Sequence, residues 1–156
     1  DFLYKNEEGF FAQLYAEIGL LLKKATKQGK KLAMRLNGTS DLDWSQMYLA
    51  FPTVQFYEYT KRPDLALKMA TFENVHFTFS YTERTKTETM QKMLDRGHNV
   101  AVVFKDKVPS MFKGIPVIDG DKHDRRFEDD KGHIVGLKLK GTNAIKALAI
   151  ESGFAN

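Results

Sequence analysis

The residues best equipped for chemistry lie in Asp119-Gly-Asp-Lys-His-Asp124, where carboxylates and an imidazole crowd one short stretch. Oxygen and imidazole donors suit Mg²⁺, Mn²⁺ or Zn²⁺. A divalent ion on Asp119, Asp121, His123 and Asp124 would activate water for phosphoryl or phosphodiester chemistry, with Asp119, Asp121 and His123 as the catalytic groups. The spacing is neither an EF-hand loop nor a His-Glu-x-x-His helix. The competing reading is a salt-bridged loop in which Lys122, Arg125 and Arg126 neutralise the carboxylates.

A second group suits ligand binding. Arg35, Asn37, Ser40 and Asp41 belong to a polar loop whose backbone N–H groups and hydroxyls could cradle an anion, or which is simply a turn and helix cap. Glu58 and Lys61 flank Tyr59 as a substrate-facing acid and cation, or as a strand-end ion pair. Ser80 opens Ser80-Tyr-Thr-Glu83, a ligand contact or the cap of the next helix. Arg125, like Lys61, could hold phosphate. His76 falls inside a strand run and reads as a packed imidazole, whereas His98 and His133 sit beside glycines at strand starts. Trp44 reads as core and Glu128-Asp129-Asp130 as an exposed turn.

Positioning these residues requires strands that end where they begin. Short runs rich in β-branched and aromatic residues return at Lys31 to Leu36, Val54 to Tyr59, Val75 to Phe79, Val100 to Phe104, Ile115 to Ile118 and Ile134 to Leu139. Ahead of them, Leu14, Ile18, Leu21 and Ala25 share one face of a helix ending near Gly29. Ser45 to Ala50, Pro63 to Ala70 and Thr85 to Asp95 supply further helices, the last carrying Met90, Met93 and Leu94 on one side. The strand spacing leaves room for a helix in each gap, so the expectation is an α/β fold of repeated β-α units with a mainly parallel sheet, open or forming a partial (β/α) barrel. An antiparallel sandwich is the alternative. In parallel sheets ligands bind beyond the carboxyl ends of the strands, where every candidate above is expected to lie.

The 156 residues suffice for one core and predict a single domain over 1–156. A net charge of +4 from 24 basic and 20 acidic residues, well interspersed, permits nucleic-acid binding without demanding it. No cysteine is present, which excludes disulfides, thiolate metal sites and iron–sulfur clusters within this chain. No stretch has the length and apolarity of a membrane span, and no signal pattern opens the chain, so a cytoplasmic location is expected, host cytoplasm for a phage-encoded protein. The start at Asp1 suggests processing, trimming or a missing upstream segment.

Arg35-Leu-Asn-Gly-Thr-Ser-Asp41, Val54-Gln-Phe-Tyr-Glu-Tyr-Thr-Lys61, Asn99-Val-Ala-Val-Val-Phe104, Pro116-Val-Ile-Asp-Gly-Asp-Lys-His-Asp-Arg125 and Val135-Gly-Leu-Lys-Leu-Lys-Gly141 together resemble the gene product 88-like family of phages and mobile elements. The resemblance spans most of the chain in the same order. It implies a phage or mobile-element accessory protein. Longer members carry a cysteine-rich segment reminiscent of radical-SAM enzymes ahead of the matched part, so the resemblance implies a downstream portion without that chemistry.

Three functions follow as expectations. The first is an accessory protein that binds a phosphate-containing ligand or nucleic acid at the carboxyl edge of its sheet. The second is a phosphodiesterase or nuclease using Mg²⁺ or Mn²⁺ on the 119–124 loop. The third is an inactive portion of a radical-SAM-like half-barrel or a host-protein-binding inhibitor. Nucleic acid, a host protein or a second copy of the chain are the expected partners.

Overall fold

The structure, a computed structural model, describes residues 2–156, with side chains from residue 4 onward. A short helix α1 (Phe2–Lys5) precedes the long helix α2 (Glu7–Lys27). Asn6 caps α2 by accepting the Gly9 N–H, Glu7 and Glu8 occupy its first turn and Lys24 and Lys27 its last, all matching the helix dipole. Gly29 leaves the helix at a φ of 65°, a conformation costly for any residue with a Cβ. Phe10, Phe11, Leu14, Ile18 and Leu22 turn the apolar face of α2 onto the core.

Strands and helices then alternate: β1 (Ala33–Met34), α3 (Ser45–Ala50), β2 (Gln55–Thr60), α4 (Pro63–Met69), β3 (Val75–Ser80), α5 (Thr87–Asp95) and β4 (Asn99–Phe104). A hairpin of β5 (Met111–Phe112) and β6 (Ile115–Asp119) follows, then a 3-10 turn (Arg126–Glu128), β7 (Ile134–Lys138) and α6 (Asn143–Glu151). The sheet is open, in the order β1-β2-β3-β4-β7-β6-β5, and every pair is parallel except β5 with β6. The expected α/β class therefore holds and the antiparallel sandwich does not.

The order also corrects the barrel expectation. From β1 to β4 each step runs in one direction across the sheet; the chain then skips to β5 at the far edge, and β6 and β7 come back in turn, β7 filling the gap between β4 and β6. Right-handed connections put forward steps on one face and a backward step on the other. The side chains agree: Tyr48 of α3 meets Phe56 at 5.0 Å, whereas Phe127 beyond β6 meets the neighbouring Tyr57 at 5.5 Å. Successive strand residues face opposite sides, so α3, α4 and α5 cover one face and the 120–133 segment crosses the other. Its 3-10 turn packs against β3.

Three further differences have local causes. The first strand is only Ala33–Met34, because the N–H groups of Leu36 and Asn37 turn to the Glu58 carboxylate rather than to a neighbouring strand. The β5–β6 hairpin turns at Lys113-Gly114, both with positive φ, and a lysine there carries little of the signal an Asn-Gly pair would. Helix α6, capped by the Thr142 hydroxyl, was not expected, and none of its residues is buried.

Candidate functional site

The carboxyl ends of β1, β2, β3, β6 and β7 converge on a solvent-open cleft of about 740 Å³. One wall is the loop after β1. Asn37 is buried and organises it: its side-chain oxygen accepts from Ser40 Oγ, Leu42 N and Trp44 Nε1 at 2.8 to 2.9 Å, and its amide nitrogen donates to Leu42 O. Beneath it, Glu58 is fully buried and accepts from Leu36 N and Asn37 N, both at 2.9 Å. Burial pushes its pKa up, against the pull of those N–H groups and of Arg35. Arg35 donates to Asn37 O and Gly38 O and lies over the Tyr59 ring at 4.6 Å. Asp41 accepts the Lys61 N–H, joining this loop to the end of β2. The Lys61 ammonium lies over Phe154.

The facing wall is the loop after β6. Asp119 accepts the Asp121 N–H, while Asp121 accepts Lys138 N and pairs with Lys140 at 2.7 Å. The Lys140 hydrogen bond holds the Asp121 carboxyl below its ordinary range. Arg126 lies behind this wall, 1% exposed, and pairs with the buried Asp129 at 3.2 Å. It also donates to His123 O, and His123 stands 3.8 Å from Asp129. Burial raises the Asp129 pKa, partly offset by Arg126 and His123. Arg126 Nε and Nη1 still lack a partner with hydrogen-bond geometry. A Cβ on Gly120 would come within 2.9 Å of Arg126 and closer still to Val135 and Leu137, so this loop can close over the guanidinium only with glycine at 120.

The fold brings together most of the residues expected from sequence. Arg35, Asn37, Ser40, Asp41, Lys61, Ser80, Asp121, His123 and Asp124 all line the cleft, joined by Tyr59, Lys122 and Lys140. Glu58, Asp119 and Arg125 do not. Glu58 is a buried anchor for backbone N–H groups rather than a substrate-facing acid, and among the described residues it makes no salt bridge with Lys61. Asp119 is spent on its own turn, and Arg125 pairs outward with Glu128. Thr82 and Thr85 bond each other in a turn before α5, so Ser80-Tyr-Thr-Glu83 does not cap that helix. Asp129 is another correction, since sequence placed it in an exposed turn.

These geometries come with a sequence relationship. The model of the family described as gene product 88 matches residues 1–156. The chain belongs to the gene product 88 family. No curated protein and no solved structure matches it.

For this gene product 88 protein, the divalent-metal expectation can be tested on the donor set. Asp119 and Asp121 are committed to backbone N–H groups and to Lys140, and the His123 ring faces the Arg126 guanidinium. Among the described residues no group of three His, Asp or Glu side chains could hold a metal ion. The donors of 119–124 do not fit a metal centre, and the expected neutralisation by Lys122, Arg125 and Arg126 is not seen among the described residues either, because Asp121 pairs with Lys140 while Arg125 and Arg126 pair with Glu128 and Asp129. Lys140 is the site residue that sequence reasoning passed over, while Tyr59 and Arg126 were placed at strand ends without being assigned a ligand contact. Lys140 lay past the end of a strand run, and Arg126 was read only as a neutralising charge. Among the described residues no helix is long and apolar enough to cross a membrane.

Proposed function

We propose that this gene product 88 protein is a binding module for a phosphate-bearing ligand held at the carboxyl edge of its sheet. The observation that carries the reading is the charge left over inside the cleft. Arg35, Lys61, Lys122 and Lys140 line the cleft against Asp41, Asp121 and Asp124, a surplus of one positive charge, with Asp41 turned in to the Lys61 N–H and Asp121 taken by Lys140. A concave site that gathers cations in this way lowers the energy of an anion there, and more so as the ligand displaces water. The Asn37 and Arg126 networks fix both walls beforehand, which reduces the ordering cost of binding.

Calorimetric titration of inorganic pyrophosphate tests the reading. Saturable binding weakened about tenfold by Lys122→Ala supports it, the loss of one charge-assisted contact being worth about 1.5 to 3 kcal/mol. Binding unaffected by both Lys122→Ala and Lys61→Ala, or no binding at all, sinks it. Lys122 is exposed, so its removal leaves the fold intact.

A further inference from the structure

Within the cleft one cation is held unlike the others. Arg35 Nε donates to Asn37 O at 2.9 Å, Nη2 donates to Gly38 O at 3.3 Å, and the guanidinium carbon lies 4.6 Å from the Tyr59 ring centroid. Yet Arg35 is exposed and lines the cleft. A surface arginine ordinarily swings through many rotamers, and fixing it costs entropy. Here that cost is met by the fold itself. Tyr59 backs the guanidinium on one side, and because Arg35 is exposed and lines the cleft, part of this charged, planar group remains open to a ligand. A loop clamp alone would need only the two hydrogen bonds, and with Nε and Nη2 taken by backbone oxygens the fork is not free to grip a phosphate bidentately along that edge. A flat cation backed by an aromatic ring is a surface for stacking a planar heteroaromatic ring.

We infer that Arg35 is the base-stacking platform of a nucleotide site, with the base on Arg35 and the phosphates toward Lys61 and Lys122. The inference rests on the phosphate-binding reading and names what the phosphate is attached to. Stacking on a π face is tolerant of base identity, so purine and pyrimidine nucleotides bind comparably. A free nucleotide and a nucleotide within a single strand offer the same chemistry.

The experiment is calorimetric titration of adenosine diphosphate, cytidine diphosphate and inorganic pyrophosphate into the wild-type protein and an Arg35→Lys variant. Lysine keeps the charge and removes the plane. Both nucleotides are expected to bind wild type about tenfold tighter than pyrophosphate, the gain typical of one stacked base. Arg35→Lys should erase that preference, so that whatever it costs pyrophosphate it costs each nucleotide about tenfold more. Pyrophosphate binding with no nucleotide preference, or a variant that weakens all three ligands equally, overturns the platform and leaves the phosphate reading standing. Failure of all three to bind wild type overturns both. Should Arg35→Lys lower the melting temperature markedly, Tyr59→Leu replaces it, since loss of the backing ring must also shrink the nucleotide preference. A short oligothymidylate separates the two sources: affinity per site above that of thymidine diphosphate assigns the platform to single strands, and equal affinity assigns it to free nucleotides.

Discussion

Asn37 and Glu58 line up as a two-residue brace under the β1 loop, and their substitution separates loop geometry from charge. Asn37→Ala would leave Leu42 N and Trp44 Nε1 without their acceptor, each buried orphan costing about 1 to 3 kcal/mol. Chemical denaturation should show that loss, and pyrophosphate affinity should fall although no charge has changed. Glu58→Gln should destabilise too, since an amide offers one acceptor where two N–H donors wait. His76 supplies a pH dependence. Burial and then the nearby His98, Lys131 and Arg126 lower its pKa to about 4 from 6.5. The unfolded chain therefore binds the extra proton first as pH falls. The neutral ring's contribution is complete above pH 6.5 and is lost between pH 6.5 and 4, by at most about 3 kcal/mol. His76→Gln should reduce the difference in unfolding free energy between pH 7 and pH 4.5, and an unchanged difference would show that this imidazole is not the titrating group.

At the scale of elements, the 120–133 segment reaches the cleft only because β7 returns between β4 and β6. Arg126→Met should cost about 3 to 5 kcal/mol by stranding buried Asp129, whereas Arg126→Met with Asp129→Leu should recover most of it, as apolar replacement of a buried pair commonly does. A double variant as unstable as the single one would show that Arg126 does more than balance Asp129. Gly136 makes the return possible on the helix face. A Cβ there would stand 2.3 Å from Val108 and 2.7 Å from Val117, and Gly136→Ala should destabilise by about 1 to 3 kcal/mol through overpacking. This is also where reading from sequence stopped. The β-α alternation through β4 was legible because each strand carries a β-branched or aromatic run and each helix a one-sided apolar pattern. The strand order beyond β4 was not, because parallel strands buried on both faces look alike whichever neighbour they take. Most cleft residues were found by their place after strand ends, a rule independent of order. Arg126 and Asp129 were misjudged because charged residues in a turn-like stretch are ordinarily exposed, and only the backward crossover buries these two.

For the molecule as a whole, the net charge of +4 is small and spread over interspersed cations, so any long-range attraction for polyanions is weak beyond the roughly 8 Å over which physiological salt screens charge. Binding should depend on the cleft. With the phosphates facing Lys61 and Lys122, a single-stranded oligonucleotide would neutralise about two phosphates there, giving log affinity against log salt a slope of about −1.4. A slope steeper than about −4 would mean that strands track a surface far wider than this cleft. The walls come from distant parts of the chain, one beside α3 and the other spanning the backward crossover, so ligand should couple them. Hydrogen exchange reads this directly. Saturating pyrophosphate should slow exchange of amides in 37–41 and 120–124 together, because bridging the walls penalises opening of either one. Amides of α6, where no residue is buried, should exchange at an unchanged rate. Protection of only one wall would show that the anion sits on a single loop, leaving the opposite wall a structural cover over the Arg126–Asp129 pair.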